Sequence, residues 1–191
     1  LPDSLLDMLW HDFEIHWVDE DLKPHKKWYW AFQEFPDDYV ITIDDDLVYS
    51  REMVARLVAS KAEHPDAVIA SRTHLFDEGG SLRPYDQWIY EAPYRHPGLV
   101  GVPSMRLFAT TGAGTLFEPR MFSELIFDRD LIRGCCLTAD DVWFKVVEAI
   151  ESIPVVAATS DQLLEYVPDT QEVALCHVNT EAGGNDRILA S

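Results

Sequence analysis

The chain has 191 residues, 47% of them hydrophobic and six of them tryptophan, which suits one domain spanning 1–191 with a sizeable core. Its formal net charge of −19 argues against a nucleic-acid polyanion or an electrostatic membrane patch as the main partner, since both need clustered lysine and arginine. The cysteines, Cys135, Cys136 and Cys176, form no disulfide framework. With no apolar run of about 18 residues, they point to a cytoplasmic protein of reduced thiols without a transmembrane segment.

In chain order, "LPDSLLDMLWHD" predicts a helix with an apolar face at Leu5, Leu6, Met8 and Leu9. "FEIHWVD" alternates Phe13, Ile15 and Trp17 and predicts a strand. "DLKPHKKWYWAFQEFP" predicts a second helix, with Pro24 in its first turn and Pro36 ending it. Tyr39–Ile43 is β-branched or aromatic throughout and predicts a buried strand. "SREMVARLVASKAEHP" predicts a helix capped by Ser50, and "DAVIAS" another buried strand. Residues 72–108, rich in Gly, Pro and aromatics, read as irregular structure over a site. "TTGAGTLFEP" is a glycine-bearing turn into a strand, and "RMFSELIFD" a short helix. "TADDVWFKVVEAIESIP" is a helix and "VVAA" a late strand. Strands alternating with helices predict an α/β fold with a mostly parallel sheet, whose ligands bind beyond the carboxyl ends of the strands.

At one such end the apolar strand runs straight into Asp44, Asp45 and Asp46. Two carboxylates about 5 Å apart repel by roughly 3 kcal/mol at an effective dielectric near 20, so something must offset them. In an extended chain Asp44 and Asp46 point one way and Asp45 the other. A divalent cation held by one or two carboxylates, with water and phosphates around the rest, would remove the repulsion. A solvated acidic turn is the plain alternative.

Asp140 and Asp141 form a second acidic pair at a helix start, where Thr138 and Asp141 have capping-box spacing. One acid can cap while the other faces a cleft. Lys23, Lys26 and Lys27 are candidate counter-charges for a polyphosphate, or a solvated helix start. Arg72 and His74 follow a strand end. His177, beside Cys176, is a candidate metal ligand, and Gly183 and Gly184 mark a late turn near Asn179, Asn185 and Asp186. Tyr85, Trp88 and Tyr90 suit either a core or a sugar-stacking face.

Taken in order, "DLKPHKKWYWAFQEFPDDYVITIDDDLVYS", "TTGAGTLFEP", "TADDVWF" and "GGND" resemble bacterial glycosyltransferases of the GT-A fold and, more distantly, exostosin-like hexosaminyltransferases. The resemblance implies a Rossmann-like three-layer fold, a nucleotide-sugar donor such as a UDP-sugar, a saccharide acceptor, and manganese or magnesium. It implies donor contacts at Asp44, Asp45, Lys27 and Arg72, with Gly112 and Gly114 in the turn that shapes the acceptor side. It implies metal contacts at Asp46 and Asp44, and chemistry at Asp141 with Asp140 beside it. It also aligns Leu1 with the helix that follows the family's first strand, helix and strand, so either the chain is N-terminally truncated or its base pocket is built differently. Two rivals remain. "DDDLV" also fits D-x-D-x-[TV] of haloacid-dehalogenase-like phosphatases, with Asp44 as nucleophile, Asp46 as acid-base, Ser71 as strand-end hydroxyl and Asp140 and Asp141 on magnesium. A non-catalytic, metal-dependent sugar- or nucleotide-binding module is the other.

Overall fold

The computed structural model describes residues 1–9, 11, 13–76, 82–161, 165–168 and 170. Helix α1 is Asp3–Met8, and a 3-10 turn at Lys23–Lys27 leads to α2, Tyr29–Glu34. Strand β1, Val40–Ile43, and the two-residue β2, Leu47–Val48, precede α3, Met53–Glu63. Strands β3, Val68–Ala70, and β4, Thr73–Leu75, are followed by the short α4, Ala92–Arg95. Then come β5, Leu107–Ala109, β6, Ala113–Phe117, and α5, Arg129–Leu131, which runs into a π-helical turn at Ile132–Cys136. Helix α6, Asp140–Glu151, and strands β7, Val155–Ala157, and β8, Glu165–Tyr166, complete the described elements.

The central sheet has the order β1-β6-β3-β7. Only β3 and β7 pair in parallel; β6 is antiparallel to both β1 and β3. The expected mostly parallel sheet is therefore corrected to a mixed, mainly antiparallel one. The reason lies in residues 71–112. A parallel strand needs a crossover that returns the chain to the sheet's other end. Here β4 and β5 form an antiparallel pair, Val100 and Ser104 bridge to β7, and the chain enters β6 from the carboxyl end of β3. Helix α6 does cross over, and β7 accordingly runs parallel to β3.

Successive side chains of the sheet serve opposite faces. Val68, Ala70, Phe117, Val155 and Ala157 join a large core with Trp28, Phe32, Val142 and Phe144 from the α2 and α6 side. Ile69, Leu116 and Val156 join a smaller core with Leu57 of α3. Two helical layers thus sandwich the sheet. The larger core is aromatic: Phe117 stacks on Phe144 at 4.2 Å, and Trp28 meets Phe144 edge-on at 4.9 Å.

Three other expectations change. Residues 13–18 form no strand, and Trp17 is 78% exposed, because no neighbouring strand satisfies their backbone. The helix expected over 21–36 breaks at Trp28, whose side chain is fully buried in the aromatic core. The helix expected over 120–128 is two 3-10 turns separated at Ser123, whose hydroxyl accepts from Leu125 N–H. Residues 72–108 contain the β4–β5 pair rather than irregular chain alone; Tyr85 and Trp88 are buried against Phe108, so they are core. No helix among the described residues is long and apolar enough to cross a membrane.

Candidate active site

Strand β1 ends at Asp44, whose N–H donates to Gly112 O at 3.0 Å. Gly112 belongs to the turn before β6, and a Cβ there would fall 1.7 Å from Asp44 Oδ2. Glycine is thus required for close approach rather than for an unusual φ. Gly114 is different. Thr42 pairs with Thr115 and Ile43 with Ala113, leaving Gly114 as an unmatched bulge residue at φ +89°. The bulge sits where β6 meets the aspartate loop.

Tyr49, which sequence reading passed over, fixes that loop. Its hydroxyl accepts from Asp44 N–H at 2.7 Å and reaches the carbonyls of Asp44 and Gly112. Burial, with the Asp44 and Asp46 charges adding to it, pushes its pKa up to about 12, so it remains a donor.

Around Asp44 the chain assembles a charge cluster from four separate stretches. Lys27 Nζ donates to Asp44 Oδ1 at 2.6 Å and lies 3.4 Å from both Asp140 Oδ2 and Thr111 Oγ1. The break after the Lys23–Lys27 turn and the bond between buried His25 Nε2 and Cys136 O, 2.8 Å, hold this lysine against the start of α6. Burial alone would lower Lys27, but Asp140, Asp44 and Asp141 outweigh it and raise the ammonium above its ordinary value. Burial also lowers His25, which stays neutral.

Thr111 joins the two acids of α6. Its N–H donates to Asp141 Oδ1 at 2.8 Å, and its hydroxyl contacts both that oxygen and Asp140 Oδ2, the latter at 2.8 Å. The expected capping box is not what Asp141 serves: the N-cap of α6 is Ala139, with no side-chain cap, and Asp141 turns to Thr111. Burial first, and the charge of Asp140 second, raise Asp141 from the usual aspartate range to about 6; Lys27 and Thr111 pull the other way. A carboxyl group poised there is ionised at neutral pH yet basic enough to take a proton.

The remaining predicted residues distribute as follows. Asp45 is exposed, Asp44 and Asp46 are partly buried, and Asp45 and Asp46 lie in a turn between β1 and β2. Asp46 O accepts from Val167 N–H at 2.8 Å, which ties the loop to β8. Lys23 and Lys26 pair with Asp21 at the surface instead of joining Lys27. Arg72 pairs with Glu91 at 3.3 Å, and its carbonyl accepts from Thr110 N–H at 3.2 Å. His74 accepts from Glu91 N–H, and burial, aided by Arg72, pushes its pKa down to about 3; it is a neutral core histidine. His177, Asn179, Asn185, Asp186, Gly183, Gly184 and Cys176 lie outside the described residues. On the α3 side a cavity of about 330 Å³ is lined by Tyr49, Met53, Arg56, Ser71, Thr159 and Asp161, among others. Ser71 thus faces this cavity.

Carboxylate oxygens suit a hard divalent cation. Among the described residues no group of three or more His, Cys, Asp or Glu side chains is placed to hold a metal ion. One or two carboxylates, such as Asp44 and Asp46, could hold a cation whose other positions are filled by phosphate and water. The surplus of three carboxylates over one ammonium leaves room for that added positive charge.

A family model, glycosyl transferase family 2, matches residues 3–125. The match contains Lys27, the three aspartates, Thr111 and Gly112; Asp140 and Asp141 follow it. The comparisons with curated proteins and with solved structures gave no match.

Proposed function

The chain belongs to glycosyl transferase family 2, and from that premise we propose that it moves a sugar from a UDP-sugar to a saccharide acceptor with the help of manganese or magnesium. Membership makes it a glycosyltransferase of GT-A-like α/β fold acting on a nucleotide-sugar donor and an acceptor, and removes the phosphatase rival. The finer reading rests on one observation: Asp44, Asp140 and Asp141 converge on the single ammonium of Lys27 at the strand ends. The likeness to exostosin-like hexosaminyltransferases favours a hexosamine or hexose as the transferred sugar, and the single-domain reading of 1–191 goes with it.

Asp44 and Asp46 would hold the cation, which would neutralise charge on the diphosphate. Lys27 adds positive charge on the donor side and keeps Asp44 in place. Asp141 takes the proton of the acceptor hydroxyl as that oxygen attacks the anomeric carbon. The bond from that carbon to the diphosphate oxygen breaks, and its electron pair leaves with the diphosphate. A direct displacement of this kind inverts the anomeric centre. Gly112 lets the acceptor-side turn approach Asp44 without a side chain between them.

The test is calorimetric titration with UDP, with and without manganese, on the protein and its Asp46→Ala variant. Binding is expected only with manganese and to weaken at least about a hundredfold in Asp46→Ala, the loss of roughly 3 kcal/mol. Manganese-dependent binding retained in that variant would remove the D-x-D assignment. Donor binding without turnover of any saccharide would return the non-catalytic module.

A further inference from the structure

We propose that Thr111 is a positioning residue for glycosyl transfer: by its N–H and hydroxyl it locks Asp141 and Asp140 into one pair and keeps Asp141 Oδ2 available to the acceptor. The inference rests on the reading above. Every hydrogen bond described for Asp141 ends on Oδ1, one from Thr111 N–H and one from Thr111 Oγ1. The same hydroxyl meets Asp140 Oδ2 at 2.8 Å, and Lys27 Nζ stands 3.4 Å from it. Thr111 is 1% exposed, so no water replaces it cheaply.

A threonine hydroxyl has one proton and two lone pairs. It can donate to one of the two acids and accept from the other only when that one is protonated. Thr111 is therefore a bridge through which a proton can sit on Asp140 or Asp141 without either moving. The charged groups facing the pair are Lys27 on the turn before α2, Asp44 at the end of β1, and Asp140 and Asp141 themselves on α6; neutral His25 lies behind Lys27. In the transfer step the acceptor proton arrives at Asp141 Oδ2 while Oδ1 stays anchored. The anchor matters because a misplacement of about 1 Å at a reacting group can cost on the order of a hundredfold in rate.

Sequence position does not advertise this role. Thr111 precedes Gly112, whose missing side chain lets that turn lie against Asp44, and Lys27 touches Asp44, Asp140 and Thr111 together.

The experiment compares Thr111→Val, which keeps shape and backbone N–H, with Thr111→Ser, which keeps the hydroxyl. Crystal structures come first: Asp141 is expected to leave the 110–112 turn in Thr111→Val and to stay in Thr111→Ser. An unmoved Asp141 in Thr111→Val overturns the proposal. Kinetics follow, as release of UDP from UDP-glucose, UDP-galactose and UDP-N-acetylglucosamine with manganese. Thr111→Val should lose about thirtyfold in kcat with donor KM within about twofold, and Thr111→Ser should recover to within about threefold. Equal losses in both variants assign Thr111 to packing and overturn the proposal. If Thr111→Val fails to fold by thermal melting, Thr111→Ala takes its place with the same expectations. A wild-type protein that releases UDP from none of the three donors sinks the donor reading, and the crystal structures still decide whether Thr111 holds Asp141.

Discussion

Lys61, fully buried, and Lys27, part-buried, both face acids and are used in opposite ways. Lys61 on α3 is 1% exposed and donates to Pro65 O at 2.6 Å and Ala67 O at 3.0 Å, while Glu118 stands 3.1 Å away. Glu118 also meets Arg120. Every charge there has a partner, and positive charge is in slight excess. Lys27 faces Asp44, Asp140 and Asp141 with no other cation among its described contacts. The first site is complete and holds α3 to the chain around β3 and β6. The second is two charges short of neutral with its acids ionised, and it lies at the strand ends, where ligands bind. A fold keeps a saturated ion pair for stability; an unsaturated one points to a ligand.

The largest effect separates chemistry from folding at the Lys27 site. Asp141→Asn is expected to lower kcat by about a thousandfold, the scale of a lost general base, with UDP affinity nearly unchanged and no loss of melting temperature. An active Asp141→Asn protein would reduce that acid to a structural partner of Thr111.

The lysine exchange itself comes next. Lys61→Met should destabilise the domain by about 3 kcal/mol in urea unfolding, because it leaves Glu118 and two carbonyls buried with too few donors, while donor KM stays put. Lys27→Met should instead weaken UDP binding and regain stability as pH falls and the three carboxylates take up protons. If Lys61→Met impaired donor binding as much as Lys27→Met, the distinction between the two sites would collapse.

A subtler effect is read in the pH dependence of stability. Asp141 has its pKa raised to about 6 in the folded chain, mainly by burial and then by Asp140. The native state thus holds this proton more tightly than the unfolded chain does. The resulting stability is present below about pH 4 and is lost as pH rises through about 6. Over that window wild type should lose urea stability relative to Asp141→Asn. A constant difference between the two would contradict the raised proton affinity.

Much of the fold was legible where local chemistry suffices. The apolar runs of β1, β3 and β7 and the amphipathic patterns of α3 and α6 identify themselves, because a strand in a sheet covered on both faces reads as an unbroken apolar run and a helix covered on one face as a stripe. The three aspartates follow β1 as expected, but Asp45 and Asp46 form a turn rather than an extended chain. The direction of β6 was not legible. It depends on whether residues 71–112 cross the sheet, and nothing local to "GAGTLF" encodes that. Residues 13–18 alternate as a strand would, yet alternation only offers a face, and a strand also needs a neighbour.

The site divides along the same line. Sequence alone named Lys27, Asp44, Asp46, Asp140, Asp141, Gly112 and Gly114, since acids at a strand end and a helix start, and glycines in a turn, are unusual enough to notice. It grouped Lys27 with Lys23 and Lys26, which the fold sends to Asp21 at the surface. It placed Arg72 and His74 at a strand's carboxyl end, and the fold pairs Arg72 with Glu91 and lets His74 accept from Glu91 N–H. It missed Tyr49 and Thr111, because tyrosine and threonine are ordinary residues in such segments. What marks these two is which backbone and carboxylate oxygens reach them from positions far along the chain. Residue type and spacing determine the chemistry available to this protein. Long-range packing decides which of those groups share a few ångströms, since only the folded chain sets the distances on which electrostatics and hydrogen bonds depend.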